Sequence, residues 1–195
     1  MNQDISALLE KVKTLEDEIE AKLAQRRAAF HTRLQNGKLA FASGIEQRHR
    51  ELKVRLSHYI LGARPLVLLT APLIYAMIVP LLLLDMSATL YQVVCFPVYG
   101  IRKVRRADYL IFDRAELGYL NIFEKINCAY CSYGNGLIAF IREIAGRTEQ
   151  YWCPIKHGQR TLAAHGHYNN FVEFGDAESY HSELEALRTQ LGKDK

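Results

Sequence analysis

The sequence predicts a mainly α-helical protein: a long N-terminal amphipathic helix, a membrane helical hairpin and a small α module that contains cysteines. Three observations predict it. Apolar residues recur at helical spacing through the first third, an apolar run fills the middle, and helical patterns surround a Cys/His cluster beyond it. The averages conceal this segregation. Mean hydropathy is -0.10 although 49% of the 195 residues are hydrophobic, because polar ends flank a greasy centre.

In the N-terminal part, Ile5, Leu8, Val12, Leu15, Ile19 and Leu23, then Phe30, Leu34, Phe41, Ile45, Leu52 and Leu56, follow helical periodicity. This predicts one long helix or a helical pair over residues 4–59, in an arm spanning residues 1–64. Gly37 and Gly44 each weaken a helix by about 1 kcal/mol relative to Ala, and Asn36-Gly37 is a turn signal, so a bend or hairpin can interrupt the pattern there. The arm either packs on its own domain or acts as a coiled-coil surface for a protein partner or for self-association through residues 5–59. The opening MNQDISALLEKVKTLEDEIE is dense in charge and has no apolar core of a secretory signal, which predicts a cytoplasmic N-terminus.

Residues 65–101, PLVLLTAPLIYAMIVPLLLLDMSATLYQVVCFPVYGI, carry one acid, Asp85, and no base. Such a run belongs in a lipid bilayer. As one straight transmembrane helix it would measure about 55 Å against a hydrocarbon core of about 30 Å. Two arrangements resolve the mismatch: two short helices folded as a hairpin, or one span from Leu66 to Leu84 followed by an interfacial helix. Lys53, Arg55 and Arg64 precede the run, and Arg102, Lys103, Arg105 and Arg106 follow it. Both flanks therefore prefer the cytoplasm, which suits a hairpin with Asp85 and Ser87 at its turn. A deeper Asp85 would instead suggest proton or ion movement. Pro72, Pro80 and Pro97 are tolerated in membrane helices, and Cys95 is simplest as a small buried residue.

Residues 102–160 are expected to form a cytoplasmic Cys/His module. Within it LIAFIREIA, residues 137–145, predicts a compact helix with Leu137, Ile138, Ile141 and Ile144 inward and Gly146 at its end. Residues 161–195 hold six acids against three bases. They predict an acidic, solvated and partly mobile tail with a helix near SELEALRTQL.

The chemistry-bearing constellation is Cys128-Ala-Tyr-Cys131 with Cys153-Pro-Ile-Lys-His157. Two cysteines two residues apart can aim both sulfurs at one point, and three thiolates with one imidazole are the donor set of a closed tetrahedral zinc site. Ser132, Gly134, Asn135 and Gly136 would supply a flexible knuckle, and Pro154 a turn. The four cysteines are expected to be reduced thiols, and C-x2-C is also a dithiol redox motif. The Cys-x3-His spacing is similar to that of the membrane-anchored CDGSH proteins, in which three Cys and one His hold a two-iron cluster. This chain lacks that family's C-x-C start and loop, so the resemblance implies only an iron-sulfur cluster as the second choice of metal. His165-Gly-His167 is read as an exposed loop, Arg142, Glu143, Arg147 and Glu149 as a solvated helix face or local ion pairs, and Trp152 as packing.

No G-x-S-x-G, phosphate-binding glycine loop, H-E-x-x-H or dinucleotide fingerprint is present. A net charge of +4 with bases beside the apolar run fits a membrane surface better than a nucleic-acid groove. The local style around YCSYGNG and QYWCPIKH suggests a bacterial inner-membrane protein with both soluble ends in the cytoplasm. The expectation is a membrane-anchored metal-binding adaptor with a structural zinc and a helical partner-binding arm. The alternative is a membrane redox protein using an iron-sulfur centre or the Cys128/Cys131 dithiol.

Overall fold

The computed structural model describes residues 3–35, 38–41, 43–53, 62, 64–162 and 164–193. They are mainly helical. Contacts divide the chain into two units, one made of Met1–Leu61 with Asp113–Lys125 and the other of Gly62–Phe112 with Ile126–Lys195.

In the first unit, α1 runs from Gln3 to Phe30, as the periodicity predicts. The helical pattern then breaks: β1 (His31–Gln35) and β2 (Lys38–Phe41) pair antiparallel with Gln35 opposite Lys38. Asn36 and Gly37 themselves lie outside the described residues, as do residues 54–61 at the end of the expected pattern. Helix α2 covers Ser43–Glu51, with Glu46 in its first turn and Arg48, His49 and Arg50 in its last, the arrangement that the helix dipole favours. His49 meets Tyr119 edge-on at 4.9 Å.

The second unit contains the apolar run. It is helical from Pro65 to Tyr99, as α3 (Pro65–Ala76) and α4 (Ile78–Tyr99) with a break at Met77. Pro80 explains the break, because its ring has no N–H to give and crowds the carbonyl four residues earlier, that of Ala76. The turn expected at Asp85 and Ser87 is not there, since both lie inside α4. The helix ends where Gly100 takes a left-handed conformation (φ 70°) and Ile101 donates back to the Phe96 carbonyl at 2.9 Å, a Schellman closure.

Helix α5 spans Ile122–Trp152, much longer than the compact 137–145 helix expected from sequence. Asn121 caps it: its Oδ1 accepts from the Phe123 and Glu124 amides, while Glu124 Oε2 accepts from the Asn121 amide at 2.8 Å. This capping box extends the helix upstream of the Gly-rich stretch. Gly146 does not end the helix. It lies within it because a Cβ there would meet the His165 ring at 2.8 Å.

Helices α4 and α5 run parallel. Tyr130 Oη donates to the Ile74 carbonyl, Tyr133 Oη to Asp85, and Tyr91 and Thr148 share a hydrogen bond, while Tyr99 stacks on Tyr151 at 4.9 Å. Parallel neighbours need a return segment. Residues 101–112 supply it by running back along the pair: the Val104 amide donates to Gln92 Oε1 at 2.7 Å, and Arg106 reaches Asp85. Phe96, Ile101, Val104, Leu137, Phe140, Ile144 and Leu191 form the core.

Helix α6, Ala177–Lys193, is capped by Asp176, whose Oδ1 accepts from the Ser179 amide at 3.0 Å. One face of the tail is docked while most of its residues stay exposed. Leu187 and Leu191 are buried, Gln150 Nε2 donates to the Leu187 carbonyl, and the Arg102 amide donates to the Leu191 carbonyl. Apolar residues on one face of an acidic helix can bury while the carboxylates stay in water.

Candidate functional site

The predicted metal ligands are not brought together. Cys128 and Cys131 lie one turn apart within α5, and Cys153 follows its last residue. Cys128 and Cys153 are 25 positions apart along a helix that rises about 1.5 Å per residue, hence roughly 37 Å. Zinc needs every ligand at about 2.0–2.3 Å, so the four residues do not fit one ion. His157 stacks instead on Tyr168, at 6.1 Å between ring centroids. Among the described residues no group of three or more His, Cys, Asp or Glu is placed to hold a metal. The expected knuckle is helix, and Gly136 within it serves close packing: a Cβ there would meet the Tyr109 carbonyl oxygen at 2.5 Å.

A different cluster is assembled on α5. Glu143 Oε1 accepts from Arg147 Nε at 2.8 Å and from His167 Nε2 at 3.0 Å, and Glu149 Oε2 pairs with His165 Nε2 at 2.9 Å. Arg142 donates to the Ala164 carbonyl. An ionised carboxylate only accepts, so both imidazoles carry a proton on Nε2. His165 lies over Gly146, and its Nδ1 is buried without a partner. The exposed-loop reading of His165 and His167 is thus corrected, as is the solvated face for Glu143: both His side chains are only 13% exposed. Residues 143, 146, 147 and 150 share one side of a helix, so the loop can lie along it with an imidazole at each end.

The electrostatics reinforce this latch. His167 first, and then Arg147, hold the Glu143 carboxyl at about 2 against an ordinary 4.5, opposed by its burial. A carboxyl depressed on folding contributes stability that is present above its ordinary range and lost as pH falls toward the folded value. Glu143→Gln is therefore expected to cost about 1–2 kcal/mol at neutral pH. Thermal melting from pH 7 down to pH 2 checks the sign: the gap between native chain and variant closes between about 4.5 and 2. A gap that persists at pH 2 would contradict the assignment.

The second polar cluster surrounds Asp85, which is 8% exposed. Arg106 holds both of its oxygens at 2.5 and 2.6 Å, Tyr133 Oη donates at 2.8 Å, and Thr89 donates at 3.3 Å. The acid is explained by these partners. The periodic set Asp85, Ala88, Gln92 and Phe96 marks the packed side of α4, a signal already present in the sequence. Arg106 and Tyr133 could not be chosen in advance from among the basic and tyrosine residues nearby.

In both clusters charged side chains tie a segment to its helix: His165 and His167 join the loop to α5 through Glu149 and Glu143, and Arg106 joins the return segment to α4 through Asp85. Fold and site define a mainly helical protein with, among the described residues, one helix long and apolar enough to cross a membrane. No protein-family model, curated protein or solved structure matches the chain.

Proposed function

We propose that this chain is a non-enzymatic, membrane-anchored adaptor, seated on the cytoplasmic face of a bacterial inner membrane and recruiting a protein partner, or a second copy, through α1. The observation that carries it is uncovered apolar surface. In the most apolar window of Pro65–Tyr99, of mean hydropathy 2.5, no residue is buried. Basic flanks at Arg64 and at Lys103 to Arg106 support the cytoplasmic side.

The recruiting arm has its own support. Leu8, Val12, Leu15, Ile19 and Leu23 fall on one face of α1 and are 45–63% exposed. Spacings of three and four residues are those of a helix that packs on another helix. Leu15→Asp with Ile19→Asp is expected to weaken cross-linking or co-purification by at least tenfold, from about 1.5–3 kcal/mol lost per buried side chain. Flotation with liposomes should be unchanged. Equal association of native and variant chains would end the adaptor reading.

The second reading is a membrane redox protein. It is favoured by Cys128 and Cys131 lying one turn apart on α5 with Cys131 exposed. The zinc or iron-sulfur assignment to Cys128, Cys131, Cys153 and His157 rests on sequence spacing alone. Elemental analysis with an absorption spectrum separates these outcomes: about one zinc per chain, cluster absorbance, or neither with a reversible dithiol.

A further inference from the structure

We propose that α4 lies in the plane of an anionic phospholipid surface, with one apolar face among the acyl chains and the basic return segment at the headgroup phosphates, instead of crossing the bilayer. This rests on the membrane-anchor reading above and specifies how the anchor sits.

The two sides of α4 differ. Leu81, Asp85, Ala88, Gln92 and Phe96 face the protein. On the other side Val79, Leu83, Met86, Leu90 and Val94 form a stripe that is 56–64% exposed. Such a face belongs in lipid.

The return segment decides the orientation. Val104 is tied to Gln92 and Arg106 to Asp85, so the bases lie beside the helix and not beyond its end. Arg105 is 75% exposed and its nearest carboxylate, Asp108, is 3.9 Å away; Arg106 is 45% exposed, and Lys103 is exposed. Fourteen positions separate Tyr99 from Asp85, about 21 Å of helix. Were α4 upright with Tyr99 at the membrane surface, Arg105 and Arg106 would sit deep in a hydrocarbon layer about 30 Å thick, where cations are strongly disfavoured. Were those arginines at the surface instead, Met86, Leu90 and Val94 would stand in water. Lying flat satisfies both sides.

One further feature agrees. At the far end Tyr99, Tyr151 and a half-exposed Trp152 cluster, residue types that favour the headgroup level.

The test uses the full chain reconstituted in vesicles of phosphatidylcholine and phosphatidylglycerol at about 3:1, an anionic surface that attracts Lys and Arg. Trp152 is the sole tryptophan, so Trp152→Phe gives a background for Val79→Trp, Met86→Trp and Val94→Trp, which span about 22 Å of helix. Quenching by lipids brominated at shallow and deep acyl positions should place all three at one shallow depth, about 5–10 Å below the headgroups. A depth graded from Val79 to Val94 means a crossing helix and overturns the proposal. Flotation without quenching at any position means that this face lies outside the lipid, which overturns the proposal but leaves the anchor. Failure to float removes the anchor itself. Lys103→Glu with Arg105→Glu should lower partitioning onto the anionic vesicles by about fivefold per residue and leave neutral vesicles unchanged; an equal loss on both refutes the headgroup contact.

Discussion

Replacing Arg106 with Ala is expected to destabilise the unit containing α4 by about 1.5–3 kcal/mol, because the little-exposed Asp85 carboxylate loses its charge-assisted hydrogen bonds to a half-exposed guanidinium. Asp85 is 8% exposed and takes two guanidinium nitrogens, with Tyr133 and Thr89 as weaker support. Without Arg106 the carboxylate keeps only neutral donors. The return segment also loses the clamp that holds it to α4, as well as the contact of the guanidinium with the Phe140 ring at 5.9 Å. In detergent, the loss corresponds to a fall in melting temperature of roughly 10 °C. A second substitution distinguishes charge from shape: adding Asp85→Leu should restore most of the stability, since an apolar pair replaces an unpaired ion. An Arg106→Ala protein that melts with the native one would show that the pair is solvated and contributes nothing.

Gly136→Ala is expected to cost about 2–3 kcal/mol, against the usual direction for a glycine in the interior of a helix. Elsewhere in a helix the change stabilises by up to about 1 kcal/mol. At Gly136 the new methyl would meet backbone, with the Tyr109 carbonyl oxygen at 2.5 Å and the Leu110 Cα at 3.2 Å. Backbone cannot swing aside as a side chain can. Gly134 is the control two positions earlier: its Cβ would meet only the Leu81 Cδ1, at 3.5 Å. Gly134→Ala should be neutral or stabilising. Opposite signs at the two sites, read from thermal melts of the single variants, would confirm that 101–112 packs directly on α5; equal shifts would contradict it.

Several features were legible from residues alone. The apolar stripe of α1, the length of the apolar run and the helix near SELEALRTQL all follow from local periodicity, which needs no knowledge of neighbours. The Asn121 to Glu124 capping box was equally local, and reading it would have moved the start of α5 to Ile122. The Cys128/Cys131 spacing is where local reasoning divides. Two cysteines two residues apart suit a metal knuckle and one face of a helix equally well, and the glycines that follow suit a flexible loop or a tight helix contact. Only the return segment packed on Gly136 separates these.

Sequence by itself determined what is helical and what avoids water, because backbone preference and transfer from water are properties of each residue and its near neighbours. Tertiary structure alone decided the partners. Asp85 finds Arg106, Glu143 finds His167, and Glu149 finds His165, pairs separated by 16 to 24 positions. It also placed Cys128 within α5 and Cys153 just past its end, far apart where spacing had suggested a shared ion. The reason is physical: a charge or a thiol carries no record of which distant group will approach it, and only the packing of α4, α5 and the segments between them closes those distances.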